Sequence, residues 1–413
     1  MTAAAGSRPA TGSPGLTVTT VRIADPGSLV AALEPLHPLA FIRDGDGIVG
    51  VGEAMRLEFT GPTRVTDAAA AWRAIVAASA IDDAVQRPGT GLVAFGSFAF
   101  ADRSQATSVL IVPAVILGRR GGDSWVTGIG PATLPEPTPL GVAGATSLTP
   151  GRMSPKAYAA AVASAVARIA AGDASKVVLA RDLVGMIPAD SDLRVPIARL
   201  SADYPDTFTF AVAGLIGSSP ETLVRVEGST VTARVLAGTA PRGEDATTDA
   251  AAHDRIDASE KDLAEHDFAL ASVMSALEPH AAGVSSSPRP FPLALPNLWH
   301  LASDVRGTLT DGSSSLDLIA ALHPTAAVAG APTAAALTII DDLEPFDRGR
   351  YSGPVGWVGA NGDGEWAVAL RCAQVDGTTV TAFAGAGIVA DSDPARELAE
   401  TTLKFRPITE AFG

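Results

Sequence analysis

The chain has 413 residues, 47% apolar and 18% charged, with a formal net charge of −15 and one cysteine, Cys372. Such an acidic chain has no basic footprint for nucleic acid, and a lone cysteine excludes an internal disulfide or a cysteine metal cage. No run of about 18 apolar residues crosses a membrane, so the expectation is a cytoplasmic protein, a monomer by default, long enough for one large domain or two to three ordinary ones.

The opening "MTAAAGSRPATGSPG" lacks the apolar stretch of a secretory leader, so residues 1–15 read as a disordered tail and 16–413 as the folded part. Short strand-like runs follow: "LAFIRD", "MRLEF", "GLVAFGSFAF" and "SVLIVPAVIL", the last broken by Pro113. Residues 119–154, rich in Gly, Pro, Ser and Thr, read as long connections with little regular structure. Beyond them Ser154 and Pro155 start a helix, with Tyr158, Val162, Val166 and Ile169 on one stripe and Gly172 just past its end. "SKVVLARDLVGMI", "TFTFAVAGLIGSS" and "TLVRVEGSTVTARVLAGT" read as strands, the last turning at Glu227 to Ser229. A long helical stretch from Asp245 is capped or interrupted near Ser259. Three closing strand runs lead into a helix bearing Glu397, Glu400 and Lys404 on one face. Strands with helices inserted irregularly between them point to an α/β or α+β fold with largely antiparallel sheets, not a doubly wound one.

Four segments place ionisable side chains beside turns or strand ends. Lys176 directly precedes an apolar strand, which suits a snorkelling lysine or a buried amine; a free lysine, with a pKa of ~10.4, is under about 0.1% neutral at pH 7, so work as a base demands desolvation. Glu221 opens a strand after Pro220, either as a solvated loop acid or as a shielded general acid. Asp262 with Glu265, and Glu397 with Glu400, are acidic pairs three residues apart on helices. Facing one another they would make an all-oxygen site suited to Mg²⁺, although Glu400 and Lys404 also suit a surface ion pair. Small and cationic candidates for anion binding are "LAGT" at 236–239, Arg371, Gly385 and Lys404.

In order, "SKVVLAR", "SSPETLV", "LAGTAPRG", "SEKDLAEHD", "HLASDVRG", "LHPTAAVAGAP", "RGRYSGPVGW", "ALRCA" and "AGAGIVADSDPARELAETTLK" resemble the motifs of the chorismate-utilising enzymes. The resemblance spans about 151–410 and is greatest with the isochorismate synthase branch. It implies a single large domain of two stacked, mostly antiparallel sheets flanked by helices, with the motif-bearing catalytic half at 151–413. It further implies Mg²⁺-assisted water addition at C2 of chorismate with loss of the C4 hydroxyl, feeding menaquinone or siderophore biosynthesis. By that resemblance Lys176 matches the general base and Glu221 the general acid. Glu265 and Glu400 match direct metal ligands, with Glu397 and Asp262 nearby, where a bridging water is one way to act. Gly238 and Thr239 match contacts to the ring carboxylate, and Tyr351, Arg371, Gly385 and Lys404 the pocket for the enolpyruvyl carboxylate; His300 lines the site. Lys176 stands where anthranilate synthases usually carry glutamine, and Ala237 where aminodeoxychorismate synthases carry lysine. The alternatives are a salicylate synthase, which tends to have threonine near Ala327, and a noncatalytic chorismate-binding protein.

Overall fold

The computed structural model describes residues 15–142 and 144–413, so the expected tail lies outside the described residues but for Gly15. β-Branched and alternating runs form two sheets, thirteen-stranded and ten-stranded among the described residues. From one edge the larger sheet runs Thr149–Pro150, Lys176–Met186, Thr379–Ile388, Cys372–Asp376, Leu215–Ser219, Phe208–Val212 and Leu39–Arg43, then continues through the N-terminal strands to Ala80–Asp83. The smaller runs Ala281–Ser286, Leu298–Leu309, Thr230–Pro241, Thr222–Glu227, Gly364–Val368, Pro354–Gly359, Val93–Ser97, Ser108–Val112 and Met55–Phe59. N-terminal strands thus join both sheets, and the halves of the sequence share one architecture.

The loop-like reading of 119–154 holds only in part. Its beginning is a hairpin, in which Val115–Arg120 pairs with Asp123–Ile129 around Gly121 and Gly122, both at positive φ as a two-residue turn requires. Expected helix starts are present: the Ser154 side chain caps Pro155–Ala170 by accepting from the Ala157 N–H, and Ser259 caps Glu260–Leu277 by accepting from Asp262 N–H.

The chain passes from one sheet to the other at Pro113, between Ser108–Val112 and Val115–Arg120. It does so again at Pro220–Glu221, and at Ala369–Arg371 between Gly364–Val368 and Cys372–Asp376. The latter two crossings lie side by side: Ser218 N–H donates to the Arg371 carbonyl at 3.1 Å and Val368 N–H to the Glu221 carbonyl at 3.2 Å. Between the sheets Phe41, Phe95, Phe208, Phe210, Trp357 and Cys372 pack in one buried cluster, each large side chain worth roughly 1.5–3 kcal/mol of burial. Helices Arg194–Asp203 and Pro394–Phe412 cover the larger sheet through Ile197, Leu200, Phe405 and Ile408. Tyr158, Val162, Ala269, Val273, Leu316 and Ile319 bring three other helices onto a further cluster.

A buried ion pair ties these layers beside the site. Arg348 Nε and Nη2 donate to the two carboxylate oxygens of Glu344 at 2.9 and 2.6 Å. The same guanidinium donates to the Val178 and Val328 carbonyls, while Glu344 accepts from Ala180 N–H at 2.8 Å. Helix Thr333–Leu343, strand Lys176–Met186 and the 325–329 loop are thereby clipped together. Glu344→Ala leaves the guanidinium buried and uncompensated, and should cost about 3–5 kcal/mol, read as a lowered urea midpoint at unchanged slope. The Glu344→Met, Arg348→Met double variant should lose less than the sum of the single variants.

Candidate active site

Lys176 begins its strand with a side chain that is 0% exposed, so the snorkelling reading does not hold. Its Nζ lies 3.1 Å from Glu265 Oε1 but out of hydrogen-bonding alignment, with no hydrogen-bond partner among the described residues. The contact is electrostatic and leaves the amine's own hydrogen-bonding capacity open. Space for the pair is made across the ladder, where Val178 faces Gly387. A Cβ at Gly387 would stand 2.2 Å from Glu265 Oε1 and 3.0 Å from Lys176 Cε.

Glu221 occupies the crossing after Pro220 and is 5% exposed. Burial pushes its carboxyl up to about 8, against the opposing pull of Lys176, Arg371 and Lys404. At neutral pH it therefore carries a proton that it can give away. It lines one cavity together with Gly238, Thr239, Glu265, His300, Ala327, Tyr351, Arg371, Gly385 and Lys404.

The cationic end of that cavity is built on the other crossing and on the C-terminal helix. Arg371, buried and at φ +46, donates from Nη2 to His300 Nε2 at 2.8 Å. His300 Nδ1 lies 2.9 Å from the Gly238 carbonyl and 3.3 Å from Thr239 Oγ1. Burial and the nearby Arg371 and Lys404 hold this imidazole well below the ordinary histidine range. Gly238 sits at φ +81, where the pairing of Thr230–Pro241 with Leu298–Leu309 shifts register between Ala237 and Thr239. This β-bulge turns backbone toward the cavity, and a Cβ on Gly238 would meet Asp262 Cβ at 2.9 Å. Lys404 Nζ donates to the Gly385 carbonyl at 3.0 Å and to Glu400 Oε1 at 2.6 Å. Tyr351, its hydroxyl pushed up to about 12 by burial, stacks on Phe383 with ring centroids 5.2 Å apart.

The four acidic residues do not form one cluster: no group of three or more His, Cys, Asp or Glu is arranged for a metal among the described residues. Glu265 faces the cavity beside Lys176, and Glu400 stands behind Lys404 in the ion pair that the helix spacing offers. Asp262 packs behind the Gly238 bulge, and the buried Glu397 lies within electrostatic reach of Tyr158. Residues that the sequence reading passed over include Phe383, whose apolar side chain gives no chemical signal, and Gly387, whose reason is a glutamate far away in the chain. Arg348 stood within a quoted motif, yet nothing local marks it as the clip for the lysine strand. Cys372, next to Arg371, is buried with its thiol pushed up by burial and its Sγ donating to the Ala369 carbonyl.

A wider groove of about 1260 Å³ shares Tyr351 and Phe383 with this cavity and is lined by Glu34, Arg56, Asp182 and Arg350. It is not lined by Glu221, Glu265, Arg371 or Lys404, so the smaller cavity is the candidate centre of chemistry.

Comparison with known proteins finds relatives along most of the chain. Isochorismate synthase DhbC of Bacillus subtilis (strain 168) is 39% identical over 271 residues, 63% of this chain and 68% of that one. A Mycobacterium tuberculosis (strain H37Rv) protein, provisionally named isochorismate synthase MenF, is 35% identical over 400 residues, 93% of this chain and 98% of the relative. The crystal structure of DhbC from Bacillus anthracis, provisionally titled a 2,3-dihydroxybenzoate-specific isochorismate synthase, matches with a TM-score of 0.78 at 31% identity. That match covers 93% of this chain and 98% of that one. The family model described as "Chorismate binding enzyme" matches residues 18–129 and 140–413, so this chain of two sheets, with a cavity lined by the buried Glu221, belongs to the chorismate-binding enzymes.

Proposed function

We propose that the protein is an isochorismate synthase, converting chorismate to isochorismate. The observation that carries this reading is a buried glutamic acid that lines the cavity and keeps its proton, within electrostatic reach of a fully buried lysine amine that sits against the lining residue Glu265 and has no hydrogen-bond partner among the described residues. Once the resting ammonium has released its proton to solvent, the neutral Lys176 Nζ accepts a proton from the water that adds at C2. Glu221 donates its proton to the C4 hydroxyl as the C4–O bond breaks, and the ring double bonds shift between those carbons. One water enters and one leaves, so the reaction is an isomerisation and needs no redox partner. The carboxylates of the substrate are met by the Gly238–Thr239 bulge at one end and by Arg371 and Lys404 at the other.

Mg²⁺ fits the donor set by its chemistry: Glu265 and Glu400 offer hard oxygen ligands, and each is balanced here by a lysine ammonium that a cation could replace. Those two glutamates would hold the ion, with Asp262 and Glu397 outside them, and when bound it supplies positive charge against the ring carboxylate. The surrounding side chains keep the dianion in place, and the apolar wall of Val178, Val328 and Leu370 limits the water that reaches the ring.

Purified protein incubated with chorismate and Mg²⁺, without ammonia, should yield isochorismate by chromatography. Unchanged chorismate would sink the reading, and salicylate with pyruvate would replace it with salicylate synthase. Lys176→Ala and Glu221→Ala should each lower kcat by at least about 100-fold, and Glu400→Gln should weaken the Mg²⁺ dependence. Because Glu221 acts in its protonated form and its carboxyl is raised to about 8, kcat/KM should fall as pH rises through that value. Gly387→Ala, which drives a methyl into Glu265 and Lys176, should reduce kcat by roughly 100-fold or more, with a far-UV spectrum like that of the parent protein.

A further inference from the structure

One imidazole joins two residues that line the cavity, Arg371 and Gly238. Arginine has donors and no acceptor, so the 2.8 Å contact from Arg371 Nη2 requires a bare, accepting Nε2 on His300. A carbonyl only accepts, so the 2.9 Å contact to Gly238 requires the proton on Nδ1. Both ring nitrogens are thereby committed, and neither is left to pass a proton to a ligand. For Arg371 this is the one side-chain hydrogen bond to the described residues, and its remaining donors are left for a carboxylate. The Gly238 carbonyl in turn belongs to the bulge, which lines the same cavity. The elements that carry these groups come from different places: the bulged strand and its neighbour lie in the smaller sheet, Arg371 on the crossing into the larger one.

We propose that His300 is a positioning residue: its neutral, Nδ1-protonated ring is a spacer that sets the Arg371 guanidinium relative to the Gly238 bulge. The two anchoring points for a dicarboxylate are then held at one separation before the ligand arrives. Preorganisation of this kind shows in substrate binding more than in the chemical step.

The side-chain amides of glutamine and asparagine divide the two contacts. In His300→Gln the amide reaches the place of Nε2, and its oxygen can accept from Arg371. In His300→Asn the amide reaches the place of Nδ1, and it can donate to the Gly238 carbonyl but falls short of Arg371. With chorismate and Mg²⁺, His300→Asn and His300→Ala should raise KM about 10- to 100-fold, with a smaller effect on kcat, and His300→Gln should recover most of that loss. The alkaline limb of the pH profile should stay in place in all three. An equal, large fall in kcat for Gln and Asn at unchanged KM would overturn the proposal and make His300 a proton-transfer group; unchanged KM and kcat in every variant would overturn it too. A second arm does not depend on these variants folding. Imidazole ¹⁵N resonances of the ligand-free protein should show His300 as the Nδ1–H tautomer, whereas an Nε2–H tautomer or an imidazolium at neutral pH overturns the assignment. The kinetic arm rests on the isochorismate synthase reading and the spectroscopic arm does not, so failure of one is distinguishable from failure of the other.

Discussion

Backbone groups lose their ladder partners where a chain leaves one sheet for another, and buried groups left unpaired are costly. At Pro220–Glu221 and Ala369–Arg371 the cost is met by letting the two crossings bond to each other. Proline suits the first position because it has no N–H to satisfy. At such a seam side chains escape the strict alternation of a strand, and an acid and a guanidinium can both face the space between the layers. The cavity depends on this: Glu221 and Arg371 are brought together by the way the sheets exchange strands, with the Lys176 strand and the bulged strand closing the sides.

Electrostatics works against the global charge. A chain of net charge −15 has to receive a dianion, so the attraction must be local. Lys176, Arg371 and Lys404 supply it at short range, and their field also opposes the rise of the Glu221 carboxyl. That the acid still stays high shows burial outweighing three cations. Holding Lys176 and Lys404 against Glu265 and Glu400 keeps the charges balanced while they wait, which avoids an uncompensated ammonium in a dry site.

Much of this was legible in the chain because local rules and local chemistry coincide. Ser154 and Ser259 announce helices through their caps, and the motif strings put Lys176, Glu221, Arg371 and Lys404 in a shared context. What was not legible depends on distance. The Gly387 requirement comes from Glu265, and the Glu344–Arg348 clip acts on Val178 and Val328; no window of sequence contains both partners. The Asp123–Ile129 strand was hidden for another reason, since a glycine pair at a hairpin and a glycine-rich loop have the same composition. The apparent surface pair of Glu400 and Lys404 is real as a contact, yet Lys404 also lines the cavity, so the solvated and the functional readings of that helix face are not exclusive.

The bulge at Gly238 has a wider effect on how its strand encodes information. Up to Val235 inward and outward positions alternate, and from Leu236 the alternation breaks. One additional residue shifts the phase of everything after it. Ahead of the glycine, the odd positions Val231, Ala233 and Val235 are selected for a hydrocarbon layer; past it, Thr239 is offered to the ligand. The strand is therefore written in two reading frames, one for the core and one for the site, with the glycine as the frameshift between them.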